Sequence, residues 1–197
     1  MINSAVDSAE LQSHVETVHD RIDQLTLISS KVSTLQSLFD GNFSTDTAYD
    51  ITGTVDSLTA EYDSQYPDAL ITTTTPTEDV NVRCDGRIKV ALEEAIENAI
   101  IHNDRKSPEV AVNVFYLDDS GPRITVQIAD NGPGIPEQDQ EAIEIGEETA
   151  LTHASGIGLW ITYWLVKAFG GDLNVSDNEP RGSIVEMTLP TSEHQPD

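Results

Sequence analysis

The chain has 197 residues, 38% of them hydrophobic, enough for one ordinary domain and a smaller appendage. Its net charge is −25, from 35 acidic and 10 basic residues, only four of them lysine; this argues against nucleic acid or an anionic membrane as a general partner. Cys84 stands alone, which excludes an internal disulfide and fits a reducing compartment. The N-terminus has no basic, apolar signal pattern, and the longest mostly apolar stretch, Gly156–Gly170, is too short to span a bilayer. The chain therefore reads as soluble and cytoplasmic, with no membrane or sensor portion in this sequence.

Leu11, Val15, Val18, Ile22, Leu25, Ile28, Val32, Leu35 and Phe39 recur at an average of 3.5 residues, the period of a supercoiled seam. One apolar stripe cannot hold so long a helix by itself. Residues 1–42 are therefore expected to form a dimerisation-type helix that packs on another helix, in this chain or in a second copy. Gly41 is its expected left-handed cap. A second helix is expected over Asp46–Tyr62, closed by Pro67. Leu70–Thr75 and Val80–Arg83 read as strands. Asp85 starts a helix to Ile101, with Leu92, Ala95, Ile96, Ala99 and Ile100 on its apolar face. Val110–Leu117 and Arg123–Ala129 read as strands joined by the turn Asp118–Gly121. Regularity is lost over Asn131–Ser155. A helix follows from Gly156 to Phe169 and stops at Gly170-Gly171. Strands near Asp172–Ser176 and Ser183–Leu189 close the domain, and residues 193–197 form a polar tail. The sum is an α+β domain over residues 43–192, a two-layer sandwich of a mixed sheet of about five strands with helices on one face.

Three stretches are candidates for chemistry. Glu94, Asn98 and His102 are spaced four apart, so they form one polar row on a helix. A carboxylate, an amide oxygen and an imidazole in a row suit a hydrated Mg²⁺ and phosphates; an amphipathic helix with a wet side has the same spacing. In Ala129–Pro136 (ADNGPGIP), Asp130 ends a strand, where its carboxylate suits an exocyclic amine such as the N6 of adenine. Gly132 and Gly134 let a flat ring lie against bare backbone. A plain β-turn remains open, but a calcium loop fails, because Ile135 stands where such a loop needs glycine. In His153–Trp160, Gly156 and Gly158 open a helix whose free N–H groups make an anion site; glycines for close packing are the alternative. Neither a dinucleotide fingerprint nor a Walker loop is present.

Taken together, the three stretches resemble the Bergerat-type ATPase fold shared by histidine kinases, gyrase, mismatch-repair and chaperone ATPases. Glu94 and Asn98 match the asparagine box, Asp130-x-Gly132-x-Gly134 the first glycine box, and Gly156-x-Gly158-Leu159 the second. Arg181-Gly182-Ser183 matches the glycine that closes such domains in histidine kinases. The Gly156–Trp160 ending, the Gly170-Gly171 stop and Thr188-Leu189-Pro190 most resemble sensor histidine kinases. The scattered acid, the scarcity of lysine and the segment Gly146–Trp160 are similar to haloarchaeal members. The resemblance covers about Phe43–Thr191. It implies that Asp130, with Gly132, Gly134 and Ile135, receives adenine, that Asn98 ligates Mg²⁺ on the phosphates of ATP, and that Glu94 orients or deprotonates a nucleophile. It also implies that Asn131–Ser155 is a lid, and that Gly156, Gly158 and Leu159 bind the nucleotide, with the amides near the two glycines at its phosphates.

The chain departs from that pattern in two ways. Many histidine kinases carry a cation three residues after the asparagine, where this chain has Ile101, and no Lys or Arg lies between Arg123 and Lys167. His102 and His153 are therefore expected to face the triphosphate. The only histidines on the first helix, His14 and His19, lack the family's acceptor pattern. The expected function is the ATP-binding catalytic part of a sensor histidine kinase, whose phosphoacceptor domain and response regulator act in trans. A nucleotide-binding regulatory module and an anti-sigma-type serine kinase are the alternatives.

Overall fold

The computed structural model describes residues 36, 43–117, 122–145 and 156–192. The heptad stripe with His14 and His19, the turn Asp118–Gly121, His153 and the tail lie outside them. The elements are β1 (Ala48–Asp50), α1 (Ile51–Gln65), β2 (Leu70–Thr74), β3 (Asn81–Arg83), α2 (Ile88–Ile101), β4 (Glu109–Tyr116), β5 (Arg123–Asp130), α3 (Glu137–Ile145), α4 (Gly156–Ala168), β6 (Asp172–Asp177) and β7 (Ser183–Pro190). All belong to one compact unit, Asn42–Asp197.

Five strands pair in the order β2-β4-β5-β7-β6. The β2–β4 pair is parallel and the others are antiparallel, so the sheet is mixed, as the sequence indicates. Alternation along the strands sorts their side chains by face. Val112, Ile128 and Val185 are aligned across three strands, as are Val114, Val126 and Met187. All six are buried. Helices cover this face, and Ile51, Leu58, Leu92, Ile96, Ile161 and Phe169 fill the space between. Each such side chain contributes about 1.5–3 kcal/mol through burial.

The opposite face mixes apolar side chains, such as Phe115 and Ile184, with polar ones. One row crosses four strands: Asn113 Nδ2 donates to Gln127 Oε1 at 3.2 Å, Gln127 Nε2 to Glu186 Oε1 at 3.0 Å, and Asn174 Nδ2 to Glu186 Oε2 at 3.1 Å. These three amides and the Glu186 carboxylate satisfy one another across the strands.

Three boundaries differ from the sequence expectation, each for a local reason. The chain before α1 is a strand: β1 pairs with β3 in a small second sheet, and Asp50 caps α1 by accepting from Gly53 N at 2.9 Å. Helix α2 starts at Ile88 because the Asp85 carboxylate accepts from Arg87 N at 3.0 Å, which makes residues 85–87 a turn. Within the stretch expected to be irregular, Glu137–Ile145 forms α3. The Pro136 carbonyl accepts from Asp139 N and Gln140 N, and Glu137 and Asp139 favour the positive end of the helix. Among the described residues, no helix is long and apolar enough to cross a membrane.

Candidate functional site

A cavity of about 480 Å³ opens between the sheet and helices α2, α3 and α4. Helix α2 contributes Ala95, Asn98 and Ala99, and His102 and Asn103 follow it. Strand β5 gives Ile128 and Asp130, the next loop Pro133 to Pro136, α3 Asp139, α4 Leu159, and β7 Ser183 and Val185. The sequence-named residues Asn98, His102, Asp130, Gly134, Ile135 and Leu159 therefore meet at one place. Glu94 is buried one turn before Asn98, outside the cavity lining. Gly156 is the first residue of α4, and Gly158 lies in its first turn, off the lining.

Asp130 is 8% exposed. Its Oδ1 accepts from Gly132 N at 2.7 Å, and its Oδ2 from Ser183 Oγ at 2.5 Å. Its main-chain oxygen accepts from Asn178 Nδ2 at 2.7 Å. The carboxylate is thus aimed by a loop on one side and by the neighbouring strand on the other. Each oxygen keeps a second lone pair, so a ligand N–H can still be accepted.

The glycines divide the work differently from the expectation that both clear room for a ring. Gly134 lines the cavity and has φ +88°, a conformation that favours glycine. Gly132 is off the lining. A Cβ there would lie 2.9 Å from Asp130 Oδ1 and 3.2 Å from Asn103 Nδ2. Its bare backbone makes room for the aspartate itself. Gly182 has φ +119°, and a Cβ on it would stand 1.9 Å from the Asp130 carbonyl oxygen. The turn before β7 therefore closes directly on the end of β5.

Amides and one ion pair hold the rim. Asn131 Oδ1 accepts from Asn103 Nδ2 and Glu109 N, both at 3.0 Å. Arg181, in the turn before β7, pairs with Asp104, in the loop after α2, at 2.6 Å, and the guanidinium draws that carboxyl below its ordinary range. Gln140 Nε2 bridges Ile135 O at 2.8 Å and Asp177 Oδ1 at 3.1 Å, which fastens α3 to β6. Sequence reading missed Ser183, Asn103, Asn178 and Asp139 as site residues. Only Ser183 carried a local signal, through its place beside Gly182.

Among the described residues, no Lys or Arg lines the cavity, and the formal charges there are the acids Asp130 and Asp139. Among the described residues, no cluster of three or more His, Cys, Asp or Glu side chains is placed to hold a metal. The Asn98 amide oxygen in the cavity wall fits a hard cation that takes its other ligands from phosphate and water, as Mg²⁺ does.

Residues 85–193 match the family of histidine kinase-, DNA gyrase B-, and HSP90-like ATPases. Among curated proteins, the adaptive-response sensory kinase SasA of Prochlorococcus marinus is 31% identical over 127 residues, 61% of this chain and 32% of that protein. The sensor histidine kinase WalK of Bacillus subtilis is 30% identical over 131 residues, 62% of this chain and 21% of that protein. The chain thus spans less than a third of the length of either relative. Among solved structures, the catalytic domain of the histidine kinase ThkA aligns with a TM-score of 0.62 at 20% identity, covering 76% of this chain and 97% of that one. Full-length ShkA in complex with AMPPNP aligns with a TM-score of 0.69 at 21% identity, covering 94% and 40%. The fold is therefore that of histidine kinase catalytic domains. The matched segment is more than half of the chain and holds every cavity residue, so the chain belongs to the histidine kinase-, DNA gyrase B-, and HSP90-like ATPase family.

Proposed function

We propose that the chain is the ATP-binding catalytic portion of a two-component sensor histidine kinase, which transfers the γ-phosphoryl of ATP to a histidine on a domain outside this chain. The observation that carries this reading is the buried Asp130 carboxylate, fixed from two sides in the cavity. Such an acceptor suits the 6-amino group of adenine. Gly134 and Ile135 give the ring an edge of bare backbone, and Leu159 an apolar wall. The first N–H groups of α4, at Gly156 and Gly158, suit phosphate oxygens. His102 and His153 take the place of the missing cations. Asn98 would hold Mg²⁺, which neutralises phosphate charge when bound. Glu94, one turn away, orients the nucleophile or takes its proton.

The likeness to ShkA, solved with AMPPNP, supports a nucleotide ligand. The likeness to ThkA, solved in complex with the response regulator TrrA, supports a response regulator as partner. The heptad stripe supports a homodimer, and a chain beginning at Phe43 is expected to sediment as a monomer. The acid excess and scarce lysine support the cytoplasm of a salt-loving archaeon.

A second reading, a nucleotide-binding regulatory module without transfer, is favoured by the lack of Lys and Arg among the described cavity residues and by Ile101. That residue is 56% exposed where a cation is common in kinases. Incubation with γ-labelled ATP at high KCl, with and without an acceptor domain, separates the two. Label passing to the added acceptor supports transfer in trans. Label on this chain, lost on His14→Ala or His19→Ala, shows an internal acceptor instead. Nucleotide binding with no label on any protein supports the second reading.

A further inference from the structure

Phe43 stands where the described domain begins. Its ring meets Phe169 edge-on, with centroids 5.4 Å apart and planes at 82°. The Arg87 guanidinium lies 4.0 Å from the Phe43 ring centroid. Arg87 is itself fixed: Nη2 lies 2.6 Å from Asp85 Oδ2 and Nε 3.0 Å from Oδ1. The same carboxylate accepts from Ser44 N at 3.2 Å, and Thr47 Oγ1 donates to Cys84 O at 3.1 Å. Residues 43–47 are thus fastened to residues 84–87 by a cation–π contact and two hydrogen bonds, and to Phe169 by a ring contact.

The two outer partners of the ring are the ends of two helices. Phe169 follows the last residue of α4, and Arg87 precedes the first residue of α2. These helices run antiparallel. Thr162 Oγ1 reaches the Ala91 carbonyl at 3.3 Å, and farther along Ala95 and Asn98 meet Leu159 at the cavity. One side chain therefore touches the far ends of both helices whose near ends wall the cavity.

We propose that Phe43 is a positioning residue for the nucleotide cavity: its ring, seated between Phe169 and Arg87, sets the spacing of α2 against α4 and couples the cavity to residues 43–47 at the start of the domain. This rests on the cavity being the nucleotide site. Close-packed helices shift as units rather than yield side chain by side chain, so a change at one end reaches the other. The coupling is reciprocal: a ligand that prefers one helix spacing must also favour the seated ring.

The test uses the full chain, Mg²⁺ and the β,γ-imido analogue of ATP, with affinity read by calorimetry and amide exchange read at Ser44. Phe43→Ala is expected to weaken binding by about threefold to tenfold. Phe43→Trp, which keeps a ring for both partners, is expected to restore it. In the unaltered chain the nucleotide is expected to slow exchange at Ser44, and this measurement needs no variant. Unchanged affinity in Phe43→Ala, or Ser44 exchange indifferent to nucleotide, overturns the inference while leaving the nucleotide site standing. Failure of the unaltered chain to bind the analogue overturns both.

Discussion

At Asp130 the two carboxylate oxygens are held by groups from different parts of the chain, Gly132 N and Ser183 Oγ. An amide in its place loses the charge and turns one acceptor into a donor. Asp130→Asn is therefore expected to weaken ATP binding by about tenfold or more, since hydrogen bonds to charged groups are worth ~1.5–3 kcal/mol. It should also narrow the preference for ATP over inosine triphosphate, whose 6-oxo group offers no proton; competition titrations with the two nucleotides measure both effects. Gly182→Ala acts through the backbone. Its Cβ would collide with the Asp130 carbonyl, and a loss of roughly 2 kcal/mol or more is expected in urea unfolding. Asp130 was legible in the sequence because a strand running into Asn-Gly-Pro-Gly leaves few uses for a rigid carboxylate. Ser183 was not, because a serine after glycine is common and its partner lies on another strand. At Gly132 the spacing indicates that backbone must be bare, but not that Asp130 and Asn103 occupy the space beside it.

The elements were legible where side-chain periodicity is strong. Val110 to Val114 and Ile124 to Ile128 alternate cleanly, and both strands formed in register. Helix α3 was hidden because Glu137–Ile145 is mostly polar; its start is set by backbone hydrogen bonds to Pro136, which leave no pattern. Strand β1 was hidden because a three-residue strand is defined by its partner, β3. The turn that moves the start of α2 also has a titration signature. Hydrogen bonds from Arg87 hold the Asp85 carboxyl at about 2, against an ordinary value of 3.8. The folded state therefore takes up this proton at lower pH than the unfolded state does. The resulting stabilisation is complete above the ordinary value and is lost as pH falls through about 2. Asp85→Asn should flatten that stretch of the curve, as read by urea midpoints across acid pH.

For the whole molecule the dominant quantity is a net charge of −25. On the proposed function, a triphosphate must approach this field and enter a cavity whose formal charges, among the described residues, are acids. Salt screens that repulsion. Raising KCl is therefore expected to strengthen ATP binding and raise the unfolding temperature together, whereas a lysine-lined site weakens with salt; calorimetry over a KCl series gives the sign. Fold class and charge were both open to sequence reading because each is a sum over many residues. The closure of the site was not, because it depends on which distant turns touch. That closure also bears on how the chain tolerates change over generations. While the Asp130 carbonyl keeps its place, position 182 is shut to every residue with a β-carbon. A mutational scan scored only by nucleotide binding would rank Gly182 beside Asp130, and lineages should inherit the two together, although Gly182 is not among the cavity residues.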